Sequence, residues 1–191
     1  MAYIYCYSPI ANKIVDKLPT TLAPNLITFI GFLHTIVPFV ILVALSRGSL
    51  IAHVPRWFCF FQAYAYFAYR MLDEMDGKQA RRTQNSSPLG LIFDHGCDAF
   101  AMGLQTIIFL IVAQIGNNKL SYITIIVNMS AFHFSTLEEY YLGILELPPL
   151  NGVSDGSIII ILYFIACGIV GNEKMALNVR PGEWLHIDGI K

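Results

Sequence analysis

Four closely spaced aspartates are the side chains in this sequence best suited to carry out chemistry. The chain has seven aspartates, and four of them fall within 26 residues, at the polar ends of two apolar segments: Asp73, Asp76, Asp94 and Asp98. A charged side chain at membrane depth is unfavourable by at least ~2.5 kcal/mol, and four carboxylates also repel one another. This arrangement indicates that bound cations compensate the charge.

The spacing of the aspartates predicts that their side chains converge. Asp73 and Asp76 share one face of a predicted helix with Ala80, and Asp94 and Asp98 share one face of the next. Two helices joined by about a dozen residues would be antiparallel neighbours. A cluster of hard oxygen ligands favours Mg²⁺, Mn²⁺ or Ca²⁺ over zinc. A pair of such ions would also match the two-metal arrangement that supports displacement at phosphorus.

Small and basic residues near these aspartates fit a substrate that contains phosphate. Gly77 and Ala80 would let a substrate approach the backbone closely. Arg81 follows them with a planar guanidinium whose donors match phosphate oxygens. Gly90 lies four residues before Asp94, on the same predicted helix face, and would keep the site open. A single aspartate or arginine at a helix end is usually only solvated, but that interpretation does not account for the whole array.

The composition places these residues in a membrane protein. Of the 191 residues, 55% are hydrophobic and 13% are charged, against about 25% charged residues in soluble domains. The formal net charge of −1 provides no basic field for a polyanion, so we exclude a nucleic-acid-binding protein. The four cysteines are scattered without a CxxC pair, which argues against a disulfide framework or a zinc site.

Apolar segments predict the helices that must position the aspartates. Five of them suit membrane-spanning helices, and they cover residues 25–45, 57–72, 89–115, 120–137 and 157–170. Apolar residues also recur at helical spacing within residues 10–22, which predicts a short amphipathic helix at the membrane interface. The expected fold class is therefore all-α: a polytopic transmembrane helical bundle of about five spanning helices plus an N-terminal interfacial helix.

Three regions follow from these elements. We expect an N-terminal segment at residues 1–24, a transmembrane domain at 25–171 and a polar C-terminal tail at 172–191. Basic residues occur on both predicted sides of the membrane, so the positive-inside rule does not decide the orientation.

A longer motif links the aspartates to a known family. From Asp73 to Asp98 the sequence reads D-x2-D-G-x2-A-R-x8-G-x3-D-x3-D, which matches the signature of the CDP-alcohol phosphotransferase family without a departure. The stretch DGKQARRTQNSSPLGLIFDHGCDA (76–99) resembles the cholinephosphotransferases and ethanolaminephosphotransferases of eukaryotes. The stretches APNLITFIGF (23–32) and LNGVSDG (150–156) are similar to two further segments of that branch. The resemblance covers about residues 18–170.

The resemblance implies a function and a set of roles. The four aspartates would bind two metal ions, Mg²⁺ or Mn²⁺, and Gly77, Ala80 and Arg81 would line the site for the CDP moiety, with Asn25 facing the same cavity. The implied reaction transfers phosphocholine or phosphoethanolamine from CDP-choline or CDP-ethanolamine to diacylglycerol, which yields phosphatidylcholine or phosphatidylethanolamine and releases CMP. The implied location is the membrane of the endoplasmic reticulum or Golgi.

Two residues are equal candidates for the catalytic base that accepts the acceptor's hydroxyl proton. Asp98 is the base proposed for the wider family. His95 belongs to the DHGCD variant of the eukaryotic branch, and imidazole in general is closer to the pKa that a base needs than a metal-bound carboxylate is. His95 could instead orient Asp94 or Asp98 from outside the metal site.

The predicted helices are fewer than the resemblance implies. Family members usually have at least six core helices, whereas the sequence shows five apolar segments, so the chain is expected to be shortened at its C-terminus. One flank of the acidic site would then lie open. We therefore expect a homodimer or a partner membrane chain to cover it. The alternative function is that of a non-catalytic membrane subunit that retains the transferase scaffold as a structural or lipid-contacting part.

Overall fold

Helices account for the regular secondary structure of the chain. The computed structural model describes residues 3–143, 152 and 154–176, in which there are six α-helices and no strand. The helices are α1 (Ser8–Val15), preceded by a π-helical turn (Tyr3–Tyr7), α2 (Pro24–Ser46), α3 (Arg56–Arg82), α4 (Pro88–Val112), α5 (Lys119–Leu142) and α6 (Ser154–Val170). The all-α prediction is confirmed. Residues 150, 151 and 153 of the LNGVSDG stretch, and residues 177–191 of the expected polar tail, lie outside the described residues.

Three of these helices, α2, α4 and α5, are long and apolar enough to cross a membrane. The chain is therefore a membrane protein of apolar helices. The other two predicted spans are α6, which is apolar but has 17 residues, and α3. The C-terminal half of α3 is rich in charged residues, and they lower its mean hydropathy.

Two helix boundaries differ from the expectation. Helix α3 continues through Gly77 to Arg82, so residues 83–87, rather than about a dozen residues, join it to α4. Basic side chains in the last turn of α3 suit the partial negative charge of a helix C-terminus. The N-terminal helix, expected over residues 10–22, ends at Val15. Pro19 disfavours a helical conformation in the residue before it and removes a backbone donor.

The helices pack around α3. Helix α2 packs against α3 and α4, α3 packs against α6, and α5 packs chiefly on α4. The main apolar core lies between the N-terminal half of α3, the C-terminal half of α4 and α6, and includes Phe58, Ile108 and Phe164. The close approach of α6 depends on Gly168, where an added Cβ would lie 2.8 Å from the ring of Phe60. The opposite halves of α3 and α4, beyond this core, carry the aspartates.

The N-terminal segment is attached to the helix bundle by hydrogen bonds, and its position at the membrane interface stays a prediction. The guanidinium of Arg82 donates hydrogen bonds to the carbonyls of Val15 (2.6 Å) and Leu18 (2.8 Å). The Val15 carbonyl also accepts a hydrogen bond from the backbone N–H of Leu18 (3.1 Å), so the guanidinium adds a second donor there and ties the end of α1 to α3. On the other side, the hydroxyl groups of Tyr7 and Ser157 lie 2.9 Å apart and join the segment to α6.

Candidate active site

Three of the four aspartates form a compact group of carboxylates. Asp73 on α3 and Asp94 and Asp98 on α4 each place one oxygen within 4.8 Å of the others. This follows from local geometry, because the i, i+4 pair lies on one face of α4 and that face is turned to α3. Such a group could hold a divalent metal ion through hard oxygen ligands, as Mg²⁺ and Mn²⁺ prefer.

The fourth aspartate, Asp76, is held beside this group by two hydrogen bonds. It is 4% exposed, and its Oδ2 accepts a hydrogen bond from the Thr28 hydroxyl (2.6 Å). Its Oδ1 accepts one from the backbone N–H of Gly77 (2.5 Å). Each oxygen retains a second lone pair, so Asp76 could still bind a cation. The structure thus places three predicted ligands in one group and the fourth next to it.

The oxygens of the acidic group are unequally satisfied. The Tyr69 hydroxyl donates a hydrogen bond to Oδ1 of Asp98 (2.7 Å), and Arg70 forms an ion pair with Asp73. By contrast, Oδ1 of Asp94 is buried and has no hydrogen-bond partner among the described residues. A buried carboxylate oxygen without a partner is strongly unfavourable. The residues present therefore fit a bound cation, which would supply the missing partner.

A pocket of about 170 Å³ opens beside the carboxylates. Its walls come from α2, α3, α4 and the connection before α4, and they include all five residues predicted to bind substrate: Asn25, Gly77, Ala80, Arg81 and Gly90. Asp76 and Asp94 line the same pocket. A narrow cleft shares Thr28 and Asp76 with it and reaches Asp73 and Asp98. A ligand in the pocket would therefore lie directly against the acidic group.

Two glycines let the walls of this pocket come close together. An added Cβ at Gly90 would lie 3.3 Å from Oδ1 of Asn25 and 3.2 Å from Oγ of Ser87. At Gly77 the nearest atom would be a guanidinium nitrogen of Arg81, 3.5 Å away. The Asn25 amide thus lies close to the backbone of Gly90, and the Arg81 guanidinium lies close to that of Gly77. In these positions both groups can face a ligand in the pocket.

Helix α5 adds a carboxylate next to α4. Nε2 of His95 lies 3.4 Å from Oε2 of Glu139 without a hydrogen bond between them, and both side chains are partly buried. The neighbouring Glu138 is exposed. His95 was predicted as a site residue and Glu139 was not, because consecutive glutamates on a helix cannot be told apart before the packing of α5 on α4 is known.

Thr28, Tyr69 and Arg70 also contact the aspartates of the site, although the sequence did not predict them there. Thr28 lies three residues after Asn25 and so shares its helix face. Arg70 and Tyr69 precede Asp73 by three and four residues, and therefore lie on its side of α3. Helical spacing could have identified all three as neighbours of site residues. Their partners could not be identified in that way, because Thr28 binds Asp76 and Tyr69 binds Asp98 across helices.

Comparison with known proteins gives a consistent match. Residues 21–170 match the sequence model of a family described as CDP-alcohol phosphatidyltransferase. The chain is 40% identical over 162 residues to an uncharacterized class-I protein of that family from Dictyostelium discoideum. It is 35% identical over 172 residues to choline/ethanolaminephosphotransferase 1 of Arabidopsis thaliana, and 35% identical over 179 residues to ethanolaminephosphotransferase 1 of Homo sapiens.

These alignments cover most of this chain but less than half of each relative. They include 84%, 90% and 89% of the chain, and 40%, 43% and 45% of the three relatives in the same order. The site described above lies within the matched region, residues 21–170.

Proposed function

Because the chain belongs to the CDP-alcohol phosphatidyltransferase family, we propose that it transfers phosphocholine or phosphoethanolamine from CDP-choline or CDP-ethanolamine to diacylglycerol and releases CMP. The observation that carries this proposal is the junction between the pocket and the acidic group. Asp76 and Asp94 belong to the pocket wall, while Asp94 also contributes to the group of three carboxylates. The names of the plant and human relatives support the choice of head groups.

The pocket has the chemistry that a nucleotide diphosphate requires, because an amide, a guanidinium and bare glycine backbone line it beside carboxylates. Arg81 would donate to the pyrophosphate, because a guanidinium pairs with phosphate oxygens through two parallel hydrogen bonds. The amide of Asn25, held over Gly90, would bind the nucleoside part.

The acidic group would hold the divalent ions that such a transfer needs. Asp73, Asp94 and Asp98 would bind one ion, and Asp76 would help to bind a second one together with Asp94. A bound Mg²⁺ or Mn²⁺ would neutralise the negative charge that develops on the pyrophosphate as CMP leaves. Thr28 and Tyr69 would keep Asp76 and Asp98 oriented for this role.

His95 is the proposed base for the acceptor hydroxyl. Asp98 is already committed to the carboxylate group and to Tyr69, whereas His95 faces a carboxylate that lies outside the group. A base that is oriented by a second residue is a recurrent catalytic arrangement. Because Nε2 faces Glu139, Nδ1 would accept the proton from the hydroxyl as its oxygen attacks the β-phosphorus. Glu139 would stabilise the imidazolium that results.

The open pocket favours an enzyme over the alternative of a non-catalytic subunit. A retained scaffold without activity has no need of a pocket that borders a buried carboxylate oxygen without a hydrogen-bond partner among the described residues. Removing that carboxylate would stabilise such a scaffold, because unpaired buried charges are unfavourable. The position of Asp94, buried on one oxygen without a partner among the described residues, is therefore explained by function rather than by stability.

The membrane arrangement completes the proposal. We propose that α3 and α6 also cross the membrane beside α2, α4 and α5, since both pack within the same bundle. Helix α5 has 6% of its most apolar stretch buried, a surface that membrane lipid would cover equally well, so a second copy of the chain or a partner membrane chain stays a prediction. The endoplasmic reticulum or Golgi, implied by the sequence resemblance, stays a prediction.

A reconstituted assay tests the function. The chain would be purified into vesicles that contain diacylglycerol, and CMP release and lipid products would be measured with Mg²⁺ and each CDP-alcohol separately. We expect CMP release that depends on both diacylglycerol and the metal. Asp94→Asn serves as the inactive control. If a purified chain that binds the CDP-alcohol forms neither phospholipid, the non-catalytic alternative is favoured.

A further inference from the structure

Arg70 is a buried cation at the edge of the acidic site. Its side chain is 7% exposed. Nη1 pairs with Oδ2 of Asp73, and Nη2 lies 3.8 Å from Oε1 of Glu74. A buried guanidinium is unfavourable unless it is paired and hydrogen-bonded. The hydrogen-bonded pair with Asp73 therefore holds Arg70 in place, and Arg70 in turn holds Asp73.

The N-terminal segment closes the other side of the guanidinium. The ring centre of Tyr7 lies 5.9 Å from Cζ of Arg70, within the range of a cation–π contact. Tyr7 is fully buried, and its hydroxyl lies 2.9 Å from that of Ser157 on α6. Arg70 consequently has little freedom to turn away from Asp73.

Asp73 depends on this contact more than its neighbours do. Among the described residues, Arg70 supplies its hydrogen bond, whereas Asp76 accepts bonds from Thr28 and Gly77. Since Arg70 occupies Oδ2, Oδ1 of Asp73 is left for a further partner. The orientation of the Asp73 carboxylate, which has one oxygen within 4.8 Å of oxygens of Asp94 and Asp98, is thus set by one side chain.

We propose that Arg70 is a positioning residue that fixes the carboxylate of Asp73 for binding a divalent cation together with Asp94 and Asp98. This inference rests on the proposed function of the same site. Arg70 has two opposite effects on a bound cation: its charge repels the ion, and its hydrogen bond orients a ligand for it. Positioning is the larger effect here, because the pair with Asp73 already offsets much of the guanidinium charge.

Two substitutions separate these effects. Arg70→Met removes both the charge and the donor, whereas Arg70→Gln removes the charge and keeps an amide that can donate to an aspartate three residues ahead on a helix. Glu74→Gln is the matched control, because it alters the more distant partner of Arg70 and leaves the contact with Asp73. Mn²⁺ binding to the purified full chain, measured by the spin resonance of free Mn²⁺, gives an affinity without any need for turnover.

We expect Arg70→Met to bind Mn²⁺ about 10- to 100-fold more weakly, the range found when a residue that orients a metal ligand is lost. Arg70→Gln should lie between Arg70→Met and the wild type, and Glu74→Gln should lie close to the wild type. In turnover assays, the Mn²⁺ concentration for half-maximal rate should rise in Arg70→Met while kcat at saturating Mn²⁺ is largely kept.

Wild-type or tighter Mn²⁺ affinity in folded Arg70→Met would overturn the proposal. Folding is checked by gel filtration and thermal unfolding in the same detergent. If Arg70→Met does not fold, the same measurement is made on Arg70→Gln. If that variant binds Mn²⁺ more tightly than the wild type, repulsion by the guanidinium charge is the larger effect, and the positioning role is refuted. A wild-type chain that binds no Mn²⁺ would overturn the metal site itself. Unchanged affinity in the variants would reject only the role of Arg70.

Discussion

Two glycines of α4 provide a matched test of the nucleotide pocket. Replacing Gly90 with alanine would place a Cβ 3.3 Å from Oδ1 of Asn25 and 3.2 Å from Oγ of Ser87. At Gly96 an added Cβ would meet nothing within 4 Å. Both residues lie within the same helix. Each substitution therefore stabilises the helical conformation by a similar amount, about 0.5–1 kcal/mol.

The two variants should differ in ligand affinity. At Gly90 the new methyl group must displace the Asn25 amide by a few tenths of an ångström, because both contacts are closer than ordinary van der Waals distance. If Asn25 then loses one hydrogen bond to the CDP-alcohol, binding weakens by about 0.5–1.5 kcal/mol. That loss corresponds to about a 2- to 13-fold higher dissociation constant. Gly96→Ala should leave the affinity unchanged.

Stability separates this steric effect from damage to the fold. Gly96→Ala should stabilise the chain by about 0.5–1 kcal/mol. In Gly90→Ala the same gain is offset by crowding of Ser87, whose hydroxyl accepts a hydrogen bond from the backbone N–H of Gly90 and caps α4; such caps contribute about 1 kcal/mol. Its stability should therefore be close to wild type.

Binding of the CDP-alcohol would be measured by titration without diacylglycerol, and stability by thermal unfolding in detergent. Wild-type affinity in Gly90→Ala would show that Asn25 and Gly90 do not contact the nucleotide. Equal weakening in both alanine variants would indicate a general effect on α4 and would also refute the argument.

Three further substitutions test the chemistry of the site. Asp94→Asn should weaken Mn²⁺ binding by more than about 100-fold, the upper end of the effect of residues that only orient a ligand. Its thermal stability without metal should be equal to or higher than that of the wild type, because the substitution removes a repelling charge. Retained turnover at saturating Mg²⁺ would contradict this prediction. Glu139→Gln should lower kcat about tenfold, and its exposed neighbour provides the control Glu138→Gln, which should not change kcat. His95→Ala should lower kcat by about 10²–10⁴-fold, keep CDP-alcohol binding and lose the acid limb of the pH–rate profile, whereas an unchanged profile would return the role of base to Asp98.

Local spacing predicted more of the site than of the bundle around it. The i, i+4 pair of Asp94 and Asp98 depends only on helix geometry, and the structure places both beside Asp73. The end of α3 was less predictable, because Gly77 and the charged residues after it resemble a connection, yet the helix continues through them. A glycine weakens a helix by only about 1 kcal/mol, which packing against α1 and α2 offsets.

Contacts between distant segments could not be predicted from spacing. The attachment of Tyr7 to Ser157 and the approach of Glu139 to His95 each join parts of the chain that no local pattern relates. The number of membrane spans was also uncertain from composition alone. Helix α3 combines an apolar half that packs in the core with a charged half that forms the site, so a measure averaged over its length describes neither half.

The charge of the acidic residues favours two ions over one in the proposed site. Among the four aspartates and Glu74, Arg70 contacts Asp73 and Glu74. With all five carboxylates ionised, these residues and this guanidinium carry four negative charges, which two divalent ions would neutralise. With one ion, two negative charges would remain in a largely buried group that would also have to accept a pyrophosphate, and their mutual repulsion would be strong at low effective dielectric. Arg70 therefore does not replace the second ion, because its single charge offsets one carboxylate and leaves four to be balanced by metal.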